Sequence, residues 1–401
     1  MARSDAAARA RKALLAVAVC CATTLAAACS SATSPSSGDA TTSPHAAASS
    51  PGVAYAGAQV AQFATLRTGF PAPGPAFTAA ETVLLKSRLS GKTVWFIPIF
   101  QQASQFTAEI GAFDQALALA GAKVHVCDAQ DNPSSGSQCI QQAVSSGAAG
   151  IVTSAIDYAF AKQAFRAAMA AKVPLVLADD DETGLPASPT ARELSVGSAY
   201  FGRLGADWVI ADSNGRANVL YAADEASSGA IQQAAAASEF AVRCPGCKVT
   251  VIQYNDNSLS KLTTAVSTAL VSHPDIDYVF CAYDEPGGIN ALQGVKQVSS
   301  RKVKFVAGGG AQVGLQRIEG GQESASPGVD TSEIAWNMAD ALFRFIVDAP
   351  QVPAYPPALR LFTTDNLPQD LANTSAYASG SWYSNGGYRA MYAKLWGVSA
   401  S

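Results

Sequence analysis

From Thr93 to Asp181, short apolar runs alternate with longer segments of helical spacing, and this alternation constrains the fold more than any other feature. The runs are Thr93-Val-Trp-Phe-Ile-Pro98, Lys123-Val-His-Val-Cys127, Gly150-Ile-Val-Thr-Ser154 and Val173-Pro-Leu-Val-Leu177. Between them, residues 105–120, 135–146 and 157–171 carry helical spacing. Near-continuous apolar strands separated by helices read as βαβ units around a parallel sheet buried on both faces. The runs lead into small and polar residues: Gln101-Gln102, Asp128, Ser154 and Asp179-Asp180-Asp181. Parallel sheets place ligands outside the carboxyl ends of their strands, so these groups stand where a small-molecule site belongs.

A second array of the same kind follows. Leu194-Ser-Val-Gly197 reads as a short strand and residues 200–211 as a helix. Strands are then expected at 218–222, 249–254, 278–281 and 304–307, with helices at 227–243, 259–272, 286–297 and 311–319. Two arrays of similar order are a structural pseudo-repeat; a solenoid would show shorter, more regular periods. One more amphipathic helix is expected at 331–347. The tail is Pro-rich, then aromatic (Trp382, Tyr383, Tyr388, Tyr392, Trp396), and those rings are expected to pack in the core or on a lobe surface.

The chain has 401 residues, long enough for two lobes of about 100–150 residues each. Apolar residues make up 49% and charged residues only 14%, so a sizeable core is available. The formal charge is −4, and removing residues 1–28 (four basic groups, one acidic) leaves 23 basic and 30 acidic groups, or −7. An acidic chain with no basic patch argues against nucleic acid as a partner.

Residues 1–28 read as a signal segment with a lipobox: the charged Arg9-Ala-Arg-Lys12, then an apolar stretch from Leu14 to Ala28 too short to remain as a span. Small residues run directly into Cys29, the expected lipidation site, although Ala26 stands where a large apolar residue is usual. The alternative is an ordinary signal peptide cut nearby. Residues 29–52 read as a disordered Ser/Thr/Ala/Pro tether. Residues 53–90 form an N-terminal extension with one helix near 79–90, expected against the first lobe. An exported protein permits disulfides. Cys127 and Cys139 end one strand and open the next helix, within reach of each other, and Cys244-Pro-Gly-Cys247 sits in a turn. Cys281 closes an apolar strand and is expected as a buried thiol.

Other chemistry has little support. Gly308-Gly-Gly-Ala-Gln-Val-Gly314 lacks a P-loop lysine and dinucleotide spacing, and is expected to let backbone approach a ligand or hinge. The histidines, His45, His125 and His273, build neither a triad nor a metal set. A redox Cys-x-x-Cys wants a helix N-terminus beneath it, whereas Cys244 follows a helix. No catalytic residue, metal or cofactor is expected; a thiol oxidoreductase is the weakest alternative.

Four pieces in order resemble the type I periplasmic binding proteins, specifically the ribose-binding-like branch of sugar-type substrate-binding lipoproteins of ABC transporters. They are the opening strand running into Gln101-Gln-Ala-Ser-Gln-Phe106, the segment Cys139 to Ser154 ending in Ile-Val-Thr-Ser, Ala170-Ala-Lys-Val-Pro-Leu-Val-Leu-Ala-Asp179, and His273-Pro-Asp-Ile-Asp-Tyr-Val-Phe-Cys-Ala-Tyr-Asp284. The resemblance covers about residues 91–347. It implies an α/β fold of two doubly wound parallel-sheet lobes joined by three hinge crossovers, the periplasmic binding protein-like I architecture. Lobe 1 would hold 91–197 and 328–349; lobe 2 would hold 198–327 and 350–401. It further implies a monomer, anchored by lipid on the extracytoplasmic face of the cell membrane, that passes a small polar ligand to an ABC permease. A ligand-sensing receptor of the same fold is the alternative.

The resemblance also suggests where a ligand would touch. Gln101 and Gln102 match the family's first-loop polar positions, and Phe106 stands one place late for its aromatic. Asp179 falls on the family's sugar-binding aspartate, but Asp180 replaces the arginine that often follows. The family's arginine early in the second lobe is absent, and Gly309 replaces an aspartate. Tyr283 and Asp284 match their strand end; Asp157, Asp224 and Glu225 complete the candidate set. The alternative reading of any single Asp is a helix cap or a solvated loop residue. Carboxylates without arginines would repel an anion, so a neutral polyol or an amine-bearing ligand is expected.

Overall fold

A computed structural model describes residues 50–178, 184–195, 197–255, 257–298, 302–353 and 356–398. The expected triple Asp179-Asp180-Asp181 and Cys29 lie outside the described residues. Two helices, α1 (Pro51–Gln62) and α2 (Ala79–Leu89), precede the first array. That array runs β1 (Thr93–Pro98), α3 (Ser104–Ala118), β2 (Lys123–Val126), α4 (Pro133–Ser145), β3 (Gly150–Ser154), α5 (Lys162–Ala170), β4 (Leu175–Ala178), β5 (Ala191–Leu194). Its strands form one parallel sheet in the order β2-β1-β3-β4-β5. All residues of β3 and β4 are buried, as strands covered by helices on both faces must be.

The second array runs α6 (Ser198–Asp212), β6 (Asn218–Asp224), α7 (Ser227–Arg243), β7 (Lys248–Tyr254), α8 (Leu259–Ser272), β8 (Tyr278–Cys281), α9 (Gly287–Lys296), β9 (Lys304–Ala307), α10 (Gln312–Glu319), β10 (Ala325–Val329). It is followed by α11 (Thr331–Ile346), β11 (Leu359–Thr363), α12 (Thr374–Ala378) and α13 (Tyr388–Leu395). The sheet order is β11-β10-β9-β8-β6-β7, parallel except for the β10–β11 pair. The chain therefore makes two α/β lobes, with the main crossovers at 194–198, 329–331 and 346–359.

Local chemistry explains several boundaries. At α2, Thr78 and Glu81 form a reciprocal cap: Thr78 N–H donates to Glu81 Oε2 at 2.6 Å and Glu81 N–H donates to Thr78 Oγ1 at 3.2 Å. At α4, Asn132 Oδ1 accepts from Ser134 N–H at 2.8 Å, ahead of Pro133 in the first turn. Helix α5 starts at Lys162, later than the expected 157, because residues 157–161 turn first and Phe160 N–H donates to Asp157 O at 2.9 Å. Strand β5 lies upstream of the expected 194–197, since Gly197 sits at φ 82 and enters α6. Strand β10 escapes a sequence reading because it contains Pro327 and Gly328, which are poor strand interiors. Its ladder with β9 is reduced to Ala325↔Val306 and an isolated Gly309↔Gly328 bridge.

The two ends of the chain pack differently from expectation. The tail is expected in lobe 2, but only β11 joins that sheet; α13 packs on α11 in the first-lobe core, and α12 packs on α3 in a cluster that also holds Leu315, Ile318 and Phe362 of the second lobe. Trp396 is fully buried and stacks on Trp336 with ring centres 5.4 Å apart and planes 8° apart. Its indole N–H donates to Asp340 Oδ1 at 2.8 Å, and Tyr392 O–H donates to Asn337 Oδ1 at 2.5 Å. A tail whose rings complete a core this way follows the sequence of partners, not the order of strands. The extension also differs: an unforeseen helix begins at Pro51, inside the expected tether, and packs on α6 and α7 of the second lobe. Gly52 makes that contact possible, since a Cβ there would meet Arg243 O at 1.9 Å. From α1 the chain crosses to α2 on α11, with Leu361 N–H donating to Phe63 O at 2.8 Å and Phe77 N–H to Leu395 O at 2.8 Å.

Cys127–Cys139 and Cys244–Cys247 are disulfides, and Cys281 is a buried thiol. Among the described residues no helix is long and apolar enough to cross a membrane.

Candidate functional site

The loops leaving β1, β2 and β3 face those leaving β6, β8 and β9, and between them lies a cavity of about 280 Å³. The first lobe contributes Ile99, Phe100, Gln105 and Phe106 after β1, Asp131 after β2, and Ala155, Asp157 and Phe160 after β3. The second contributes Asp224 and Ser228 around the β6–α7 turn, Tyr283, Asp284 and Glu285 after β8, and Gly308 and Gly309 after β9. Ser198 and Phe201 from α6 and Tyr377 from α12 close the sides.

The rims touch. Ser104 Oγ donates to Glu285 Oε1 at 2.8 Å, and Ser227 Oγ donates to Asp157 Oδ1 at 2.6 Å, each bond joining one lobe to the other. Beneath the first-lobe rim, the buried Glu109 accepts from Ser154 Oγ at 2.7 Å and from Gln105 Nε2 at 3.2 Å, holding Gln105 toward the cavity. On the other wall, Tyr283 O–H donates to Ser228 Oγ at 2.8 Å. The Cys127–Cys139 disulfide clips the start of the loop that carries Asp131 to the middle of α4.

Six of the expected residues line the cavity: Phe106, Asp157, Asp224, Tyr283, Asp284 and Gly309. Three do not. Gln101 and Gln102 point to solvent, with Gln102 Nε2 at 3.5 Å from Asp128 Oδ2, and Glu225 is an exposed partner of Asn255 Nδ2. The reason is register: the β1 loop turns outward at 101–102 before α3 brings Gln105 and Phe106 back to the cleft. Asp179 and Asp180 lie outside the described residues. The sequence reading missed Asp131, which the carboxyl-end rule would have found, and Glu285, the neighbour of Asp284. It also missed Phe160, Phe201 and Tyr377, which carry no local signal.

Asp284 lines the cavity but is already engaged by its own lobe. Its carboxylate accepts from Ala311 N–H at 2.7 Å and Ser326 Oγ at 3.0 Å, and Arg317 stands at 3.4 Å. The two family arginines are absent, but Arg317, at another position on α10, bridges Asp284 and Glu323, the latter at 2.8 Å. Burial pushes Asp284 up to about 6 against the pull of Arg317. Burial, and then the nearby Asp284, push Glu323 well above the carboxylate range. Gly314 permits this packing, because a Cβ there would meet the Asp284 carboxylate at 2.5 Å. In the glycine loop, Gly308 and Gly309 line the cavity, and Gly310 lets Gly328 approach.

Cys244 is the C-cap of α7, at the negative end of the helix dipole, which disfavours a thiolate. Among the described residues no His, Cys, Asp and Glu group is placed to hold a metal ion.

A family model described as a periplasmic binding protein domain matches residues 94–348. The chain belongs to the periplasmic binding protein family. Solved proteins of similar fold include complexes with a polyol and with a sugar. A Caulobacter myo-inositol binding protein bound to myo-inositol is 22% identical, with a TM-score of 0.60, covering 69% of this chain and 94% of its own. An Agrobacterium vitis ABC transporter solute binding protein bound with α-D-tagatopyranose is 18% identical, with a TM-score of 0.63, covering 69% and 96%. A 5-methylthioribose transporter solute binding protein from Thermotoga lettingae TMO is 14% identical, with a TM-score of 0.61, covering 77% and 99%. At these identities the likeness is one of fold. Among curated proteins none matches the chain. Outside residues 94–348, α1 packs on α6 and α7 while α12 and α13 pack on α3 and α11.

Proposed function

We propose that this protein is a solute-binding lipoprotein that captures a small polar ligand between its lobes and delivers it to an ABC permease. The observation that carries the reading is the cavity itself: carboxyl-end loops of both sheets line it, and hydrogen bonds at Ser104–Glu285 and Ser227–Asp157 join its rims. A ligand touching both lobes stabilises the joined state over the separated one, and that differential affinity is the whole mechanism. Phe106, Asp157, Asp224, Tyr283, Asp284 and Gly309 are the proposed contacts. The sugars and polyols bound by structurally similar proteins support a guest of that size. Cys29 carries the proposed lipid, placing a monomeric protein on the extracytoplasmic face of the cell membrane.

A thermal-shift screen of the protein without residues 1–28, across sugars, polyols and amines, tests capture, because a cleft ligand binds only the folded form. At least one compound is expected to raise the melting midpoint saturably. A flat response across the library contradicts the reading. Lipid labelling in a lipoprotein-processing host, lost in Cys29→Ala, tests the anchor.

A further inference from the structure

We infer that the inter-lobe cavity selects an organic ammonium ion, a primary amine on a compact body, over a neutral polyol of the same shape. The inference rests on the solute-binding reading above and narrows its ligand class.

The first observation is charge. Five carboxylates line the cavity, Asp131, Asp157, Asp224, Asp284 and Glu285, and among the described lining residues there is no Lys, Arg or His. Arg317 reaches one of them, Asp284, from behind the wall and does not line the cavity. Asp157 and Glu285 each receive a hydroxyl from the facing lobe, Ser227 at 2.6 Å and Ser104 at 2.8 Å. A hydroxyl leaves the carboxylate its negative charge, so closing the rims brings charge of one sign together. Two half-buried carboxylates therefore stand at the seam between the lobes, and a cation placed there is attracted by both.

The second observation is hydrogen-bond type. A sugar hydroxyl both donates and accepts, and a site built for it offers donors as well as acceptors. An ionised carboxylate only accepts, and an ammonium group only donates, with three hydrogens. The described polar wall is dominated by carboxylate oxygens; its side-chain donors are the amide of Gln105 and a few hydroxyls. The Gln105 amide donates to Glu109, and the Tyr283 hydroxyl to Ser228.

The third observation is the rest of the lining. Phe100 and Phe106 meet edge to face at 5.2 Å, and Phe160, Phe201, Tyr283 and Tyr377 complete an aromatic enclosure. Ring faces carry negative potential and attract a desolvated cation. The same rings cover the apolar body of an amine and give the hydroxyls of a polyol nothing to bond.

The test is calorimetry with two matched pairs, 2-phenylethylamine against 2-phenylethanol and D-glucosamine against D-glucose, near neutral pH on the protein without residues 1–28. At least one amine is expected to bind more than ten-fold tighter than its neutral twin. Asp157→Asn and Glu285→Gln keep an acceptor oxygen for Ser227 and Ser104 but remove the charge. Each is expected to weaken amine binding at least ten-fold while leaving the ligand-free melting midpoint unchanged. Equal binding within both pairs, tighter binding of the neutral twins, or amine binding untouched by either variant overturns the inference. If both amines fail while a sugar or polyol raises the melting midpoint, the ligand class is wrong and the solute-binding reading stands. If nothing in either experiment binds, both fall.

Discussion

Ser104 Oγ lies 2.8 Å from Glu285 Oε1, and this bond reaches from the first lobe to the second. It sits at the start of α3 on one side and beside the buried Asp284 on the other, so it reports directly on whether the lobes are together. A hydrogen bond to a charged acceptor contributes about 1.5–3 kcal/mol. Ser104→Ala is therefore expected to weaken ligand binding about ten-fold, mainly through faster release, with little change in the ligand-free melting midpoint. Titration and stopped-flow release of the best ligand would show it; unchanged affinity would mean the contact does not hold the lobes.

The tail is expected to be essential for stability. Trp396 fills the first-lobe core between Trp336 and Phe343 and is fully buried. Removing so large a buried ring costs about 3–5 kcal/mol. Trp396→Ala, followed by urea denaturation, should show a loss of that order. A loss below about 1 kcal/mol would mean that α13 is not a working part of the core.

The fold was legible where residues announce their neighbours and hidden where partners are remote. Runs such as Gly150-Ile-Val-Thr-Ser154 are apolar throughout, so their burial between helices could be read directly. Helix α7 was read at its observed limits, since its Ala-rich interior is bounded by Asp224 and Cys244-Pro-Gly. Strand β10 was not read, because Pro327 and Gly328 look like a turn and owe their extended form to β9 and β11 on either side. The same division holds in the cavity. Asp157, Asp224 and Tyr283 follow strands and were visible by position, whereas Tyr377 arrives from α12 beyond a Pro-rich segment, where only tertiary packing decides its place. Gln101 and Gln102 were misplaced because a resemblance fixes a loop's location but not which way each side chain turns.

The hinge holds a buried acidic pair. Asp330 caps α11 and accepts from Ser384 Oγ at 3.0 Å; Glu333, one turn on, accepts from Ala358 N–H at 2.8 Å and lies 3.6 Å from Arg67. Burial pushes Asp330 up to about 7, and burial followed by the nearby Asp330 pushes Glu333 up to about 8. Raised carboxyls mean that the folded state holds more protons than the unfolded state, so stability falls as pH rises. The contribution is whole below the ordinary value of 4.5 for Glu333 and is lost by about 8. The melting midpoint should drop across that window. Glu333→Gln, which keeps an acceptor for Ala358, should flatten the drop; an equal slope in the variant would remove the pair as its cause.

The disulfides should differ in worth. Cys127 and Cys139 are 12 residues apart and Cys244 and Cys247 only 3. On loop-closure entropy alone the first stabilises by about 3 kcal/mol and the second by about 2. Urea denaturation of the paired Cys→Ser variants should rank them in that order. The Cys127/Cys139 pair should also weaken ligand binding, since it fixes the loop that presents Asp131 to the cavity. The reverse ranking, with binding intact, would contradict both statements.

The most direct test of the central claim is a crystal structure with the tightest compound from the thermal-shift screen. The account predicts that compound inside the inter-lobe cavity, touched by Phe106 or Asp157 from one lobe and by Tyr283 or Asp224 from the other. A cavity holding only water, with the compound bound elsewhere, would contradict it.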